Sequence, residues 1–424
     1  MRIAVIGTGI AGNTVAYRLR GQHDLTVYEA AGHIGGHTNT VDVEEDGRSI
    51  PIDTGFIVFN DRTYPNFLAL LAELGQPTRR SVMSFSVQTE DGRLEYNGAS
   101  LNALFSQRRN ILRPPFYRMV RDILRFNREA VTSLSAESQA QTVGGYLLKH
   151  GYGREFIDCY LVPMAAAIWS AEPVAIERMP LRFLVTFFEN HGLLQLRDRP
   201  AWHVIEGGSR EYVGRMVAGH RHRIRLHSPV LAVHRHPQHV EVFTAAGGRE
   251  SFDAVFIACH SDQARALLAD PSLAEAEILG AIRYQHNEAV LHTDASIMPR
   301  RRRAWAAWNY HLPRDPARHV SVTYNMNVLQ GLDTRLQYFV TLNNDGYIDP
   351  AKVIRRIAYE HPVYSRGALA AQARQAELND DRTFYCGAYW RNGFHEDGVV
   401  SALNALGHFA QRFRHAELHL RRAG

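Results

Sequence analysis

The chain has 424 residues, 45% hydrophobic and 21% charged, enough to bury a large core in two or three domains and unlike a fibrous or disordered sequence. No window approaches 18 uncharged apolar residues, which excludes a transmembrane helix, and no cleavable apolar segment precedes the first apolar run, so no signal peptide is expected. The net charge of +5 comes without any basic and aromatic interleaving of the kind single strands need, which excludes nucleic acid as the expected partner.

In chain order, Arg2 to Ile6 is a short apolar run suited to a buried parallel strand, and it leads into Gly7-Thr8-Gly9-Ile10-Ala11-Gly12. A helical pattern follows with Val15, Ala16 and Leu19 on one side. The next strand, Leu25 to Tyr28, ends in Glu29, 22 positions after Gly7. Glycine at 7 permits the tight turn, Gly9 leaves room for a pyrophosphate, and Gly12 lets helix and strand pack closely. The helix N-terminus suits phosphate and Glu29 suits ribose hydroxyls, so the stretch reads as a dinucleotide clamp. An acid rather than an arginine at the strand end favours a free ribose, as in FAD or NAD.

The continuation, Glu29-Ala-Ala-Gly-His-Ile-Gly-Gly-His-Thr-Asn-Thr40, resembles the E-x(5)-G-G-R-x-x-T/S signature of the flavin-containing amine oxidase and phytoene desaturase superfamily. Glu29, Gly35, Gly36 and Thr40 match, and His37 stands where the family usually has arginine. Val41 to Ile52 alternates around Asp46-Gly47 as a hairpin and closes on Asp53-Thr54-Gly55-Phe56, which resembles the segment by which this superfamily leaves its nucleotide domain near the flavin. Asp53 is equally readable as a turn residue.

Thr63 to Leu74 is expected to be a helix and 81 to 97 strands. In Pro114 to Val131, Arg118, Arg121, Arg125 and Arg128 fall at helical steps beside Phe116, Met119, Ile123 and Phe126. Such a helix either packs on a core with a solvated basic face or lies on an anionic membrane. A second basic cluster, Arg300 to Arg303, is either a solvated loop or an anion patch, and the membrane reading gains if both clusters lie on one side near a tunnel mouth. Apart from Lys149 and Lys352, every one of the 48 basic residues is arginine, a bias for which codon usage suffices and which also suits phosphate or anionic lipid headgroups.

Helices are expected over 144–150, 155–167 and 181–191. At Trp202 to Gly208 the pattern returns to the nucleotide domain, with a helix at Tyr212 to Val217, strands at Ile224 to Leu226, Val240 to Thr244 and Phe252 to Cys259, and Val230 where the family's backbone brackets the adenine. Glu288 to His292, Ala304 to Tyr310, Val320 to Met326 and Gln337 to Leu342 read as strands of one antiparallel sheet, and Lys352 to Tyr359 as a helix. The closing segment, Thr383 to Trp390 and Gly393 to Ala402, resembles the superfamily's last flavin-contacting elements.

The resemblance implies an α/β fold: an FAD-binding Rossmann-like domain of the GR2 type from 1–60, 203–283 and 380–424, and an interleaved α+β substrate domain with a mixed antiparallel sheet and helices from 61–202 and 284–379. It implies FAD contacts at Gly7, Gly9, Ile10, Ala11, Gly12, Glu29, Ala30, Gly35, Gly36, His37, Thr40, Gly55, Phe56, Val230, Cys259, Gly387, Gly398, Val399 and Val400. The region 284–310 lacks the lysine that amine oxidases usually place near the flavin, and no S-G-G-C-Y-type attachment segment occurs, so FAD is expected to be non-covalent.

The motifs I-G-G-H, A-W-A-A-W-N-Y and C-G-A-Y-W-R-N-G-F-H-E-D-G are similar to a bacterial group of FAD-dependent oxidoreductases associated with cyclopropane-type fatty-acyl methyltransferases. That group includes desaturases of methylated fatty acids on the route to furan fatty acids. The resemblance implies a long-chain acyl substrate, with His395 or Glu396, or less readily Asp397, as the base; an amine oxidase and a redox-neutral fatty acid isomerase are the alternatives. The cysteines Cys159, Cys259 and Cys386 are scattered and odd in number, pointing to a reducing cytoplasm. His33 and His37 lack further ligands, so no metal is expected. Membrane association and a homo-oligomer both stay open.

Overall fold

The computed structural model describes residues 1–134, 141–195, 197–314, 320–344, 346–379 and 381–413. The expected carboxy-terminal block therefore has residues 380 and 414–424 outside the described residues.

The first strand, Arg2–Ile6, lies at the centre of a five-stranded parallel sheet ordered Ile224–Arg225, Asp24–Tyr28, Arg2–Ile6, Ala254–Ile257 and Thr383–Tyr385. Its side chains alternate between two buried faces, which is why it reads as continuous apolar sequence. Ile3 and Val5 pack with Val15, Val213, Met216, Leu403 and Phe409 from the helices Ile10–Leu19, Arg210–Val217 and His395–Phe413. Ala4 and Ile6 pack instead with Val233, Val240 and Val242 of a three-stranded antiparallel sheet, Val230–Arg235, Val240–Thr244 and Arg249–Phe252. The expected strand 252–259 is split between these sheets at Asp253, whose N–H donates to the Arg2 carbonyl while its carboxylate accepts from the Arg2 N–H.

A second sheet has seven strands in the order Val353–Val363, Arg283–His292, Phe339–Leu342, Ser321–Asn325, Trp308–Leu312, Phe85–Thr89 and Glu95–Asn97. It is mixed rather than antiparallel, because Trp308–Leu312 runs parallel to Phe85–Thr89. The helices Pro114–Glu129, Val143–Lys149, Val162–Trp169 and Leu181–Asn190 share its core. The stretch before Pro163 widens into a π-helical turn at Ile157–Leu161, a local answer to a residue without an N–H. No helix among the described residues is long and apolar enough to cross a membrane.

The helix expected at 352–359 is a strand, Val353–Val363, paired antiparallel along Arg283–His292. Exposure alternates along it only from Arg356 to Tyr359, and the ladder to Arg283–His292 outweighs helix propensity.

Two glycines in helices test how tightly the helices approach. A Cβ on Gly398 would lie 2.5 Å from Ile10 Cγ2, where the first and last helices touch, whereas one on the exposed Gly214 meets nothing within 4 Å. Gly398→Ala is expected to cost about 1–3 kcal/mol by overpacking, and Gly214→Ala to add about 0.5–1 kcal/mol of helix stability. Urea unfolding of the two variants beside the parent checks the opposite signs.

Candidate functional site

The glycine turn is built by close approach. Gly7 has a φ of +101°, and a Cβ there would come 3.0 Å from the Ala258 carbonyl oxygen; a Cβ on Gly12 would collide with the Gly7 carbonyl. Gly12 thus holds helix to strand and does not reach the cavity beyond the turn. The helix Ile10–Leu19 starts at Gly9 with no side-chain cap, and no atom lies within 4 Å of where a Gly9 Cβ would be. Gly36, at φ +59°, packs its α-carbon side against Gly9, placing the second glycine pair on the first.

These turns open onto a cavity of about 670 Å³. Of the expected contacts, Gly7, Gly9, Ile10, Ala11, Glu29, Ala30, Gly35, Gly36, His37, Gly55, Phe56, Val230, Cys259 and Gly387 line it, as does His395. Residues separated by up to 388 positions in the chain thus share one wall. At one end, Glu29 accepts from the Thr8 N–H at 2.9 Å and the Ala31 N–H at 2.9 Å, and its carbonyl accepts from the Ser228 N–H beside Val230. Burial pushes the Cys259 thiol up to about 12, so it stays protonated and a poor nucleophile.

Several expected site residues lie elsewhere. Thr40 donates to Asp53 at 2.6 Å, and Asp53 also accepts from the Ser209 N–H and hydroxyl at 2.8 and 2.7 Å. This buried knot ties the hairpin Thr40–Glu45 and Arg48–Asp53 to the helix Arg210–Val217 and explains Asp53 as a structural acid. Gly398 serves the helix contact described above, Val399 is buried in the core, and Val400, on the same turn, does not line the cavity.

Glu396 is also not placed as a base. Its carboxylate accepts from the Asn66 N–H at 3.1 Å, the Asn66 side chain at 2.6 Å and the Phe67 N–H at 2.8 Å, satisfying the exposed start of the helix Pro65–Glu73. Asp397 accepts from the Phe394 N–H at 2.9 Å and, pushed up by burial to about 7, likewise faces its own helix end. His395 does line the cavity: its ring stacks on Phe56 with centroids 3.4 Å apart, and Nε2 lies 2.9 Å from the Thr38 hydroxyl and 3.0 Å from the Tyr212 hydroxyl.

Sequence reasoning missed a group of aromatic and imidazole rings on the edge strand of the second sheet. His37 stacks on Tyr359 at 4.8 Å, with His361 at 5.3 Å and His260 at 6.3 Å. Burial holds His37 well below the usual histidine range, and its Nε2 is buried without a partner. It therefore presents a neutral ring where the resemblance has a cationic arginine. Asn287 donates from Nδ2 to His361 Nδ1 at 2.8 Å and to the Gln285 carbonyl at 3.2 Å, while its Oδ1 accepts from Asn343 at 2.7 Å. The carbonyl fixes the amide's orientation, so His361 accepts at Nδ1 and, when neutral, carries its proton on Nε2. The period-two pattern across Ile357, Tyr359 and His361 is the signal that could have found them.

The far wall is apolar: Ile168, Trp169, Trp308, Tyr324, Leu342 and Phe394 line it. Trp308 Nε1 and the Tyr364 hydroxyl are buried there without hydrogen-bond partners. Glu29 and Glu360 are the only carboxylates among the lining residues, and Glu360 lies 3.4 Å from His260. Away from the cavity, His236, His239 and Glu241 bring ligand atoms within 4.8 Å of one another, but Arg249 donates twice to that carboxylate.

A strand, a glycine turn and an uncapped helix, facing an acid at the next strand end, define a dinucleotide-binding protein of the doubly wound type. The chain belongs to the flavin containing amine oxidoreductase family, whose signature matches residues 10–293. The fold is shared with solved structures across nearly the whole length: a putrescine oxidase bound to putrescine (15% identity, 97% of this chain and 99% of that one, TM-score 0.66) and the cyclohexylamine oxidase from Brevibacterium oxydans IH-35A (16%, 97% and 99%, 0.67). A CLA-producing fatty acid isomerase from P. acnes is similar at 14% identity over 96% of this chain and 98% of that one, with a TM-score of 0.64. No curated protein sequence matches the chain.

Burial holds His361 near 4 and His395 near 3, against about 6.5 when unfolded. In that window the unfolded chain binds more protons, so these groups withdraw stability as pH falls below about 6.5 and have no effect above it. Asp53 and Asp397, raised by burial to about 6 and about 7, act in the opposite sense, their stabilisation being lost as pH rises from about 4, but His37, His191, His220 and His292, depressed by burial like His361 and His395, outnumber them. The melting temperature of the flavin-free protein is expected to drop on acidification from pH 7 to 5, and His361→Gln to flatten that drop.

Proposed function

We propose that the chain is an FAD-dependent oxidoreductase that removes a hydride from a long-chain, methyl-branched unsaturated fatty acyl substrate, free or in phospholipid, on the way to furan fatty acids. The observation that carries the substrate class is the apolar, aromatic stretch of the lining, beside which Glu29, bonded to main-chain N–H groups, and Glu360, against His260, are the only carboxylates among the lining residues. An ammonium substrate entering such a wall would lose its hydration with no counter-charge to replace it, whereas a hydrocarbon gains by burial.

The residues present fit FAD. The uncapped helix start offers main-chain N–H donors to a pyrophosphate, Gly9 and Gly36 leave the approach open, and Glu29 stands at the ribose distance along the chain. Val230 and Cys259 flank the adenine end, and a protonated Cys259 thiol favours non-covalent binding. When bound, FAD supplies a two-electron acceptor for hydride leaving a carbon. This chain's own part is to hold the acyl chain along Trp169, Trp308 and Tyr324, to exclude water, and to take the accompanying proton. His395, a neutral imidazole on the cavity wall, is the acceptor we assign, while His361 offers an N–H.

Mixing the flavin-loaded protein anaerobically with methyl-branched unsaturated phospholipid is expected to bleach the flavin absorbance and to yield lipid two hydrogens lighter. Bleaching by an amine with unchanged lipid would overturn the substrate class, and a shifted double bond at constant lipid mass would replace oxidation by isomerisation. Glu29→Ala is expected to weaken FAD binding roughly tenfold to a hundredfold, read by quenching of FAD fluorescence. His395→Gln should slow bleaching by about 10²–10⁴-fold at full FAD content, whereas Glu396→Gln should cost about 1 kcal/mol of stability and leave bleaching in place.

A further inference from the structure

The start of the basic helix and the Arg300–Arg303 cluster lie on one side of the molecule. Arg109 donates to the carbonyls of Gly92 and Arg93, Arg113 donates to the Arg93 carbonyl, and a Cβ on Gly92 would lie 3.1 Å from the Arg300 guanidinium. The turn at Asp91–Arg93 therefore joins the start of the helix Pro114–Glu129 to Arg300–Arg303. The short helix Leu101–Leu104 packs beside Arg302–Ala304 and completes the patch.

Its apolar side chains point outward. Among the described residues Leu112 is 86% exposed, Leu101 76%, Tyr117, beside Phe105, 48% and Ile111 47%. Ile111, Leu112, Pro114, Tyr117, Arg118 and Arg121 line one shallow hollow. Folding gives leucine no reason to stand in water beside guanidinium groups, and this pairing of apolar tips with a basic surround is the composition that an interfacial bilayer site needs.

The charge balance across the patch is positive. Arg108 is held by the Phe105 carbonyl and the Asn102 amide oxygen, and Arg109 and Arg113 by main-chain carbonyls, so these guanidinium groups are positioned without being neutralised. The acids nearby are few. Glu95 is buried against Arg301 at 3.1 Å and Asp122 is buried beneath Arg121, while Asp91 and Glu155 face Arg93 and Arg118 at 3.8 and 3.9 Å. Exposed pairs at that separation are weak and give way to a denser anionic surface. We infer that this patch docks the protein on an anionic phospholipid surface, with Leu101, Ile111, Leu112 and Tyr117 entering the acyl boundary and the arginines meeting the headgroups.

Docking supplies a purpose if the substrate is a membrane lipid and in that respect rests on the proposed function, but its test reads no turnover, so either proposal can fail alone. The flavin-loaded protein is floated with vesicles of phosphatidylcholine alone or mixed equally with phosphatidylglycerol, in 0.15 M salt. Binding is expected only to the anionic vesicles and to weaken as salt rises. Arg118→Gln with Arg121→Gln should lower affinity roughly fivefold per arginine, and Ile111→Ser with Leu112→Ser should release the protein at unchanged flavin content and melting temperature. Arg128→Gln, an exposed arginine paired with Glu129 at the other end of the same helix, should change nothing. Absence of binding, equal binding to neutral vesicles, or loss in Arg128→Gln equal to that in the patch variants would overturn the proposal. So would patch-dependent capture of duplex DNA with vesicles left unbound.

Discussion

The first helix begins with its N–H groups unanswered by any side chain, and the surrounding structure leaves that end open. Gly9 carries nothing that could fold back over it, Gly36 lies against it without filling it, and the neighbouring Glu29 is occupied with Thr8 and Ala31 rather than with the helix. A helix start costs stability unless its donors are met, and here the partner must come from outside the chain. The close approach of Gly7, Gly12 and Ala258 holds that start at the mouth of the parallel sheet. Segments from three distant parts of the sequence then enclose the space in front of it.

Within that space the two ends differ in chemistry. The end near Glu29 is polar and built from main chain; the end near Trp308 and Tyr324 is apolar and built from rings. The same lining holds a collar of neutral imidazoles, His37, His260, His361 and His395, each held below its ordinary protonation range chiefly by burial. Neutral rings can be buried together where four charges could not, so the collar contributes directional donors and acceptors without a large desolvation cost. The fixed amide of Asn287 shows how one such direction is set, through a chain of hydrogen bonds that runs to Asn343.

Much of this was legible in the sequence because main-chain requirements leave strong traces. Gly7, Gly12 and Gly35 stand where a Cβ would meet main chain, and glycine spacing records that directly. Thr40, Gly398, Val399 and Glu396 misled for the opposite reason: a polar or small residue beside a motif can serve a cap or a helix contact, and spacing alone does not say which way it faces. Glu396 meets its partners 330 positions away at Asn66, a pairing no local pattern encodes. Tyr359 and His361 were missed because Lys352 to Tyr359 has mixed propensity, and the pairing with Arg283–His292 makes it a strand.

The interleaved order of the parallel sheet bears on how the protein is made. Its central strand lies at residues 2–6, that strand's second partner comes only at residues 254–257, and the sheet's edge strand beyond it only at residues 383–385, followed by the helix that closes the glycine turn. At roughly 5–20 residues per second on the ribosome, the sheet waits tens of seconds between its first strand and its last. During this interval a sheet edge and a set of apolar faces stand open in the nascent chain, a target for holding chaperones. The cavity in front of the glycine turn is thus complete only once the helix His395–Phe413 has been added, long after the glycine motif itself has been made.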